Sequence, residues 1–121
     1  MTDTRLSRPP SRGIEDLIDR QIEAYNAHDL EAFLKFYADD VKFFDPPDVL
    51  SASGIAAARE RYRRRFVETP AVYAQVEKRI VLGDFVIDKE FLSGWVDGGT
   101  LHAVVMYNVK NEKIRKVWFM I

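Results

Sequence analysis

The sequence predicts an α+β domain in which helices cover one face of a curved sheet. Three observations carry that reading. Apolar residues recur at helical spacing in the first half of the chain, they recur at period two beyond Pro70, and the strand-like runs are joined by very short turns. Successive strands with such turns imply an antiparallel meander. With 121 residues, 47% of them hydrophobic and 31% charged, the chain suits one compact domain with a real core.

Residues 1–12 (MTDTRLSRPPSR) are polar with paired prolines and read as a flexible N-terminal tail, which leaves 13–121 as the domain. From Gly13 onward, Ile14, Leu17, Ile18, Ile22 and Tyr25 form a helical stripe, with Glu15, Asp16, Asp19, Arg20 and Glu23 opposite. Gln21 interrupts the stripe. It either reaches water at the flank or hydrogen-bonds inside a cavity, since a buried amide needs partners. Asn26-Ala27-His28-Asp29 breaks the helix, Asp29 N-caps a second one, and Leu30, Phe33, Leu34 and Tyr37 form its buried face. That helix is expected to end at Ala38-Asp39-Asp40, ahead of a short strand through Val41, Phe43 and Phe44. Pro46 biases Asp45 toward extended backbone and ends the strand, which places this carboxylate at the rim. Asp45 is then either a turn residue capping its own backbone or a base activated by aromatic neighbours.

Residues 48–52 read as a brief extended segment, and Ser53 as the cap of a third helix with Ile55, Ala58, Tyr62 and Phe66 on one side. Arg59, Arg61, Arg63, Arg64 and Arg65 read as its solvated face rather than as a phosphate footprint, because they lie opposite the apolar stripe of a near-neutral domain. Four strands follow, over 72–82, 85–96, 100–109 and the stretch ending at Ile121. Gly83-Asp84, Asp97-Gly98-Gly99 and Lys110-Asn111-Glu112 supply the turns. A sheet curled round helices that leave its mouth open encloses an apolar interior, which is where small molecules bind.

Several function classes drop out. Without cysteine there are no disulfides, thiolate metal sites or cysteine nucleophiles, which agrees with a cytoplasmic location. A net charge of −1 offers no overall field for nucleic acid or anionic membrane, and no apolar run has the length of a membrane span. No nucleophile elbow, Walker loop or dinucleotide fingerprint occurs. His28 and His102 are too far apart to suggest a metal site, and neither metal nor cofactor is expected. Asp88 and Glu90 share a strand face and can do acid–base work, although such a pair is more often the wet side of a sheet or part of a dimer interface. His102, alone in an apolar strand, is either a structural residue or a proton carrier.

Four motifs at fixed separations add a family resemblance: Asn26-Ala27-His28-Asp29-Leu30, Phe36-Tyr37-Ala38-Asp39-Asp40-Val41, Asp45-Pro46 and Ser53-Gly54-Ile55-Ala56-Ala57-Ala58-Arg59-Glu60. Together they resemble the NTF2-like superfamily, and within it the SnoaL-like and ketosteroid-isomerase branch. The likeness is densest over 20–62 and continues more loosely to 121. It implies an NTF2-like (cystatin-like) cone, with three N-terminal helices packed on a curved, mixed but mostly antiparallel sheet that encloses a pocket.

In the family's isomerase an aspartate base moves a proton, while a tyrosine and a protonated aspartic acid donate to the enolate oxygen. Asp45 matches the base and Tyr62 a supporting tyrosine. Gln21 stands in place of the oxyanion tyrosine, and Val105 or Met106 in place of the protonated acid. One such donor is worth about 3–4 kcal/mol of transition-state stabilisation, so a strict ketosteroid isomerase is not expected. Two readings stay open. One is a cofactor-free isomerase, cyclase or hydratase-like enzyme in which Asp45 is the base and Gln21, Tyr62 or His102 polarises the oxygen. The other is a non-catalytic module that binds a small apolar molecule or dimerises. The resemblance further implies cavity walls of Tyr25, Tyr37, Phe43, Phe66, Phe91, Met106, Val117 and Phe119. It also implies a homodimer through the exposed sheet face, where Trp95 and Trp118 would meet an apolar partner.

Overall fold

The computed structural model describes residues 9–121, with side chains from Gly13 onward. In chain order the elements are α1 (Pro9–Asn26), α2 (Leu30–Leu34), β1 (Tyr37–Asp45), β2 (Val49–Ser53), α3 (Ile55–Glu68), β3 (Tyr73–Leu82), β4 (Phe85–Ser93), a 3-10 turn (Val96–Gly98), β5 (Leu101–Lys110) and β6 (Lys113–Met120). The tail expected over 1–12 lies outside the described residues as far as Arg8. The first helix opens on Pro9 and Pro10 instead of Gly13, because the N–H groups that proline lacks have no partner in a first turn anyway.

The stripe predicted for the first helix is its buried face, where Leu17, Ile18, Gln21 and Tyr25 are all buried. The break that follows docks this helix on the sheet edge. Asn26 donates to the Ala74 carbonyl at 3.0 Å and accepts from the Ala74 N–H at 2.7 Å, taking the place of a neighbouring strand beside β3. His28, in left-handed backbone at φ 56°, lies 2.8 Å from the Val72 carbonyl through Nε2 and stacks on Phe66 at 4.9 Å. Asp29 accepts from the Ala32 N–H at 3.1 Å and caps α2, as its position predicts.

The helix α2 is shorter than its apolar spacing suggests, because Tyr37 already belongs to β1. The Ile114 N–H donates to the Phe36 carbonyl at 2.8 Å, and Tyr37 pairs with Ile114 of β6. A partner nearly eighty residues away thus overrides local helical preference. The third helix starts from Gly54 (φ +92°) and not from a Ser53 cap. It follows the β1–β2 hairpin, so two helices, rather than three, precede the first strand.

The six strands run in the order β2-β1-β6-β5-β4-β3. The predicted meander is β3 to β6, all antiparallel, and β1 adds to it in parallel beside β6. Irregularities at Phe43/Phe44, Val76/Lys78 and Asn108/Val109 bend the strands and curve the sheet around the helices. Strand β4 stops at Ser93, short of the predicted 96, since Gly94 at φ +64° passes so close to the Ala71 carbonyl oxygen that a Cβ would lie 2.0 Å from it. No helix among the described residues is long and apolar enough to cross a membrane.

Candidate functional site

The inner face of the sheet carries Asp88, Glu90 and Leu92 of β4, Ala103, Val105 and Tyr107 of β5, and Val117 of β6, all buried. Between this face and the helices lies a cavity of about 210 Å³. Asp45 at the end of β1 is exposed on its rim, and the phenols of Tyr25 on α1, Tyr37 on β1 and Tyr62 on α3 line it.

Inside, polar groups are arranged in two sets. Tyr37 donates to Oε1 of Gln21 at 2.7 Å, and the Gln21 amide donates one N–H to the Ile18 carbonyl at 3.3 Å. Gln21 is thus the buried, partnered amide of the two alternatives its position left open. Across the cavity, the Tyr107 hydroxyl donates to Oε2 of Glu90 at 3.1 Å. Burial pushes the Glu90 carboxyl up to about 7, and the charge of Asp88 adds to the rise while Tyr107 and Arg79 oppose it. Burial also keeps the Tyr37, Tyr62 and Tyr107 hydroxyls protonated far above the ordinary tyrosine range. The lining therefore offers neutral donors at any physiological pH, with one carboxyl near neutrality among them.

Asp45, Gln21, Tyr62, Tyr25, Tyr37, Val117 and Phe119 meet at this one cavity. Other expected wall residues do not reach it. Phe43 is fully buried and sits one layer behind, stacked on Phe119 at 6.0 Å, and Phe66 packs behind Tyr25 at 5.3 Å. Phe91, His102 and Met106 lie on the outer face, because they alternate with Glu90, Ala103 and Val105, which face inward. His102 is exposed and lies 3.8 Å from Glu77, so it is removed from any role inside the cavity. Of the two positions matched to the protonated acid, Val105 faces the cavity and Met106 does not. Trp95 lines the mouth and is not on the outer face, whereas Trp118 is outside, stacked on Phe44 at 5.3 Å with its indole N–H donating to Asp48.

Four polar lining residues were not expected at the cavity from the sequence: Glu90, Tyr107, Arg61 and Arg65. Alternation along β4 and β5 carried the signal for the first two, since they share parity with Val86, Leu92 and Val105. The expected wet pair of Asp88 and Glu90 is in fact buried. Asp88 takes two hydrogen bonds from Arg79 at 2.7 and 2.9 Å, and Arg79 also reaches Asp19 of α1 at 2.7 Å. The arginine face is solvated at Arg59, Arg63 and Arg64, but Arg61 and Arg65 turn over the cavity mouth. Among the described residues no three metal-binding side chains come together.

A family model for the SnoaL-like domain matches residues 18–117. The chain belongs to the SnoaL-like family. Its fold is shared by an uncharacterised cystatin-fold protein from Novosphingobium aromaticivorans, at TM-score 0.79 and 20% identity over 88% of this chain and 96% of that one. A proposed ketosteroid isomerase from Kribbella flavida is similar at TM-score 0.76 and 18% identity, covering 90% and 77% of the two chains. A proposed polyketide cyclase from Sinorhizobium meliloti is similar at TM-score 0.76 and 16% identity, covering 89% and 98%. At such identities the likeness concerns the fold alone. No curated protein matches the sequence. This SnoaL-like chain is a small-molecule-pocket protein by family and by shape.

Proposed function

We propose that the cavity is the active site of a cofactor-free proton-transfer enzyme, an isomerase or cyclase acting on a small carbonyl compound. The observation that carries the reading is the Glu90 carboxyl, 6% exposed, facing the same cavity as the rim carboxylate Asp45. Two carboxyls in environments this different divide acid and base roles between them. Asp45, solvated, takes the proton from the carbon alpha to the carbonyl. The electron pair moves into the new C=C bond, and the carbonyl oxygen gathers charge. Glu90 in its protonated form donates to that oxygen, helped by Tyr62 and by the second amide N–H of Gln21. Returning the proton to a different carbon completes an isomerisation, and attack of the enolate on a second carbonyl carbon forms the C–C bond of a cyclisation. A cavity of about 210 Å³ is smaller than the ~300–1,000 Å³ of drug-sized sites, which favours a one- or two-ring ligand over a steroid.

The test is a thermal-shift and turnover screen against cyclic ketones and short polyketides, with Asp45→Asn and Glu90→Gln alongside. Turnover should fall on the order of 100-fold or more in each variant, as for loss of a base or an oxyanion donor. Ligand shifts that are equal in all three proteins, without turnover, would make the domain a binding module. The exposure of Asp45, which leaves it without an apolar shell, is the observation on that side. We further propose a homodimer through the outer sheet face near Trp118, working in the cytoplasm. Light scattering that gives a monomer at micromolar concentration would refute the dimer.

A further inference from the structure

Five arginines lie within seven residues of α3, and their partners divide them. Among the described residues, Arg59 pairs with Glu31, while Arg63 and Arg64 pair with Glu60 at 2.8 and 3.9 Å. Arg61 and Arg65, one helical turn apart, have no carboxylate partner among the described residues and line the cavity mouth instead. Aromatic faces and hydroxyls hold them. The Arg65 guanidinium lies 4.6 Å over the Trp95 ring and donates to the Tyr25 hydroxyl at 3.2 Å. The Arg61 guanidinium lies 5.1 Å over Phe43 and 5.7 Å over Phe119, and donates to Ser51 at 3.1 Å. Stacking of this kind fixes the plane of a guanidinium while leaving most of its five donors unspent.

We propose that Arg61 and Arg65 form a carboxylate subsite at the mouth of the cavity, so that the ligand is a small planar apolar molecule bearing one carboxylate. The inference rests on reading the cavity as a small-molecule site. Charge supports it. The charged groups lining the cavity are these two arginines, Asp45 and Glu90, and Glu90 is part-protonated at neutral pH. Two cations against one exposed carboxylate and one part-protonated carboxyl leave the side chains of the lining without a net negative charge to repel an anion, in a chain whose net charge is −1. Geometry gives the orientation. The carboxylate stays at the mouth, where a guanidinium fork matches its two oxygens, and the apolar body runs inward over Val105 and Val117 toward Tyr37. Deep placement is disfavoured by Glu90, which would meet a second carboxyl in a buried site.

The experiment is isothermal titration at pH 7.5 and low salt with matched pairs: trans-cinnamate against cinnamamide, and 2-naphthoate against 2-naphthamide. The acids should bind at least about tenfold more tightly than their amides, as expected for charge-assisted hydrogen bonds. The preference should vanish in Arg61→Gln/Arg65→Gln and persist in an Arg59→Gln/Arg63→Gln control. Arg61→Gln alone, which leaves Arg65 packed on Trp95, should lose part of the preference and serves if the double variant does not fold. Equal affinity for acid and amide in the wild type, a preference that survives in the double variant, or failure of both acids to bind would overturn the subsite. Amide binding would leave the cavity reading standing in that case; absence of binding by all four compounds would count against both.

Discussion

Asp88 and Glu90 are two residues apart on the same face of β4, both buried, and they do opposite things. Asp88 lies under α1 and meets a cation, Arg79, which grips both of its oxygens and is itself steadied by Asp19. Burial raises the Asp88 carboxyl and Arg79 offsets only part of that rise, but its two hydrogen bonds make a clamp between helix and sheet. Glu90, one repeat further along, has left the shadow of the helix and faces the cavity with one phenol as its partner. No guanidinium grips it there, and Tyr107 and the more distant Arg79 offset the loss of water only in part, so the carboxyl is pushed up to about 7. The difference teaches how to sort buried acids. One with a bidentate cation holds the fold together, whereas one without is set up for proton transfer.

Cutting the clamp should give the largest effect. Asp88→Ala leaves Arg79 part-buried with only Asp19, 51% exposed, for company, and stability measured by urea unfolding should drop by about 3 kcal/mol, the lower end for a broken buried pair. A drop under about 1 kcal/mol would mean that the Arg79 charge is solvated in the variant.

Removing the charge at Glu90 should do the reverse at high pH. Its pKa is raised in the folded state, from 4.5 to about 7, so the folded protein binds more protons than the unfolded chain across that window. Stability from this group is complete below about pH 4.5 and is lost as pH rises through about 7, by up to about 3 kcal/mol. Glu90→Gln should therefore be more stable than wild type above pH 8, and the two curves should converge toward pH 4–5. Parallel curves across this range would show that Glu90 is not poised near neutrality.

A finer probe is Tyr107→Phe, which deletes the one donor to the Glu90 carboxylate among the described residues. The Glu90 titration, followed by NMR, should move further upward, with a stability cost of about 1 kcal/mol at neutral pH. No movement would mean that the hydrogen bond does not favour the charged form. The smallest effect is expected outside the cavity: His102→Ala should leave ligand affinity and stability within about 0.5 kcal/mol of wild type, because that side chain is exposed on the opposite sheet face.

Local pattern made much of this molecule legible. The first helix, the break at Asn26–Asp29, the cap at Asp29 and the antiparallel meander all follow from residue spacing within a few turns of chain. The position of Asp45 was legible too, since Pro46 ends the strand wherever the rest of the chain goes. Tyr25 and Tyr62 fall on helical stripes that have one inner side, whereas position left Gln21 open between water and cavity and only the family resemblance turned it inward. The strands are another matter. Period two separates Phe91, His102 and Met106 from Glu90, Ala103 and Tyr107, but it does not say which set faces in.

By itself, then, the sequence determined the elements, their order and the two faces of each strand, because these depend on short-range sterics and on apolar spacing. Only the tertiary structure decided which strand face is inside, where α2 gives way to β1, and which two of five arginines leave the solvent. Those choices are made by partners distant in the chain. Ile114 draws Tyr37 into the sheet, Arg79 and the overlying first helix bury Asp88, and Trp95 with Tyr25 holds Arg65 over the cavity. A buried carboxylate is tolerated only where such partners or a cavity exist, and neither can be read from the residues beside it.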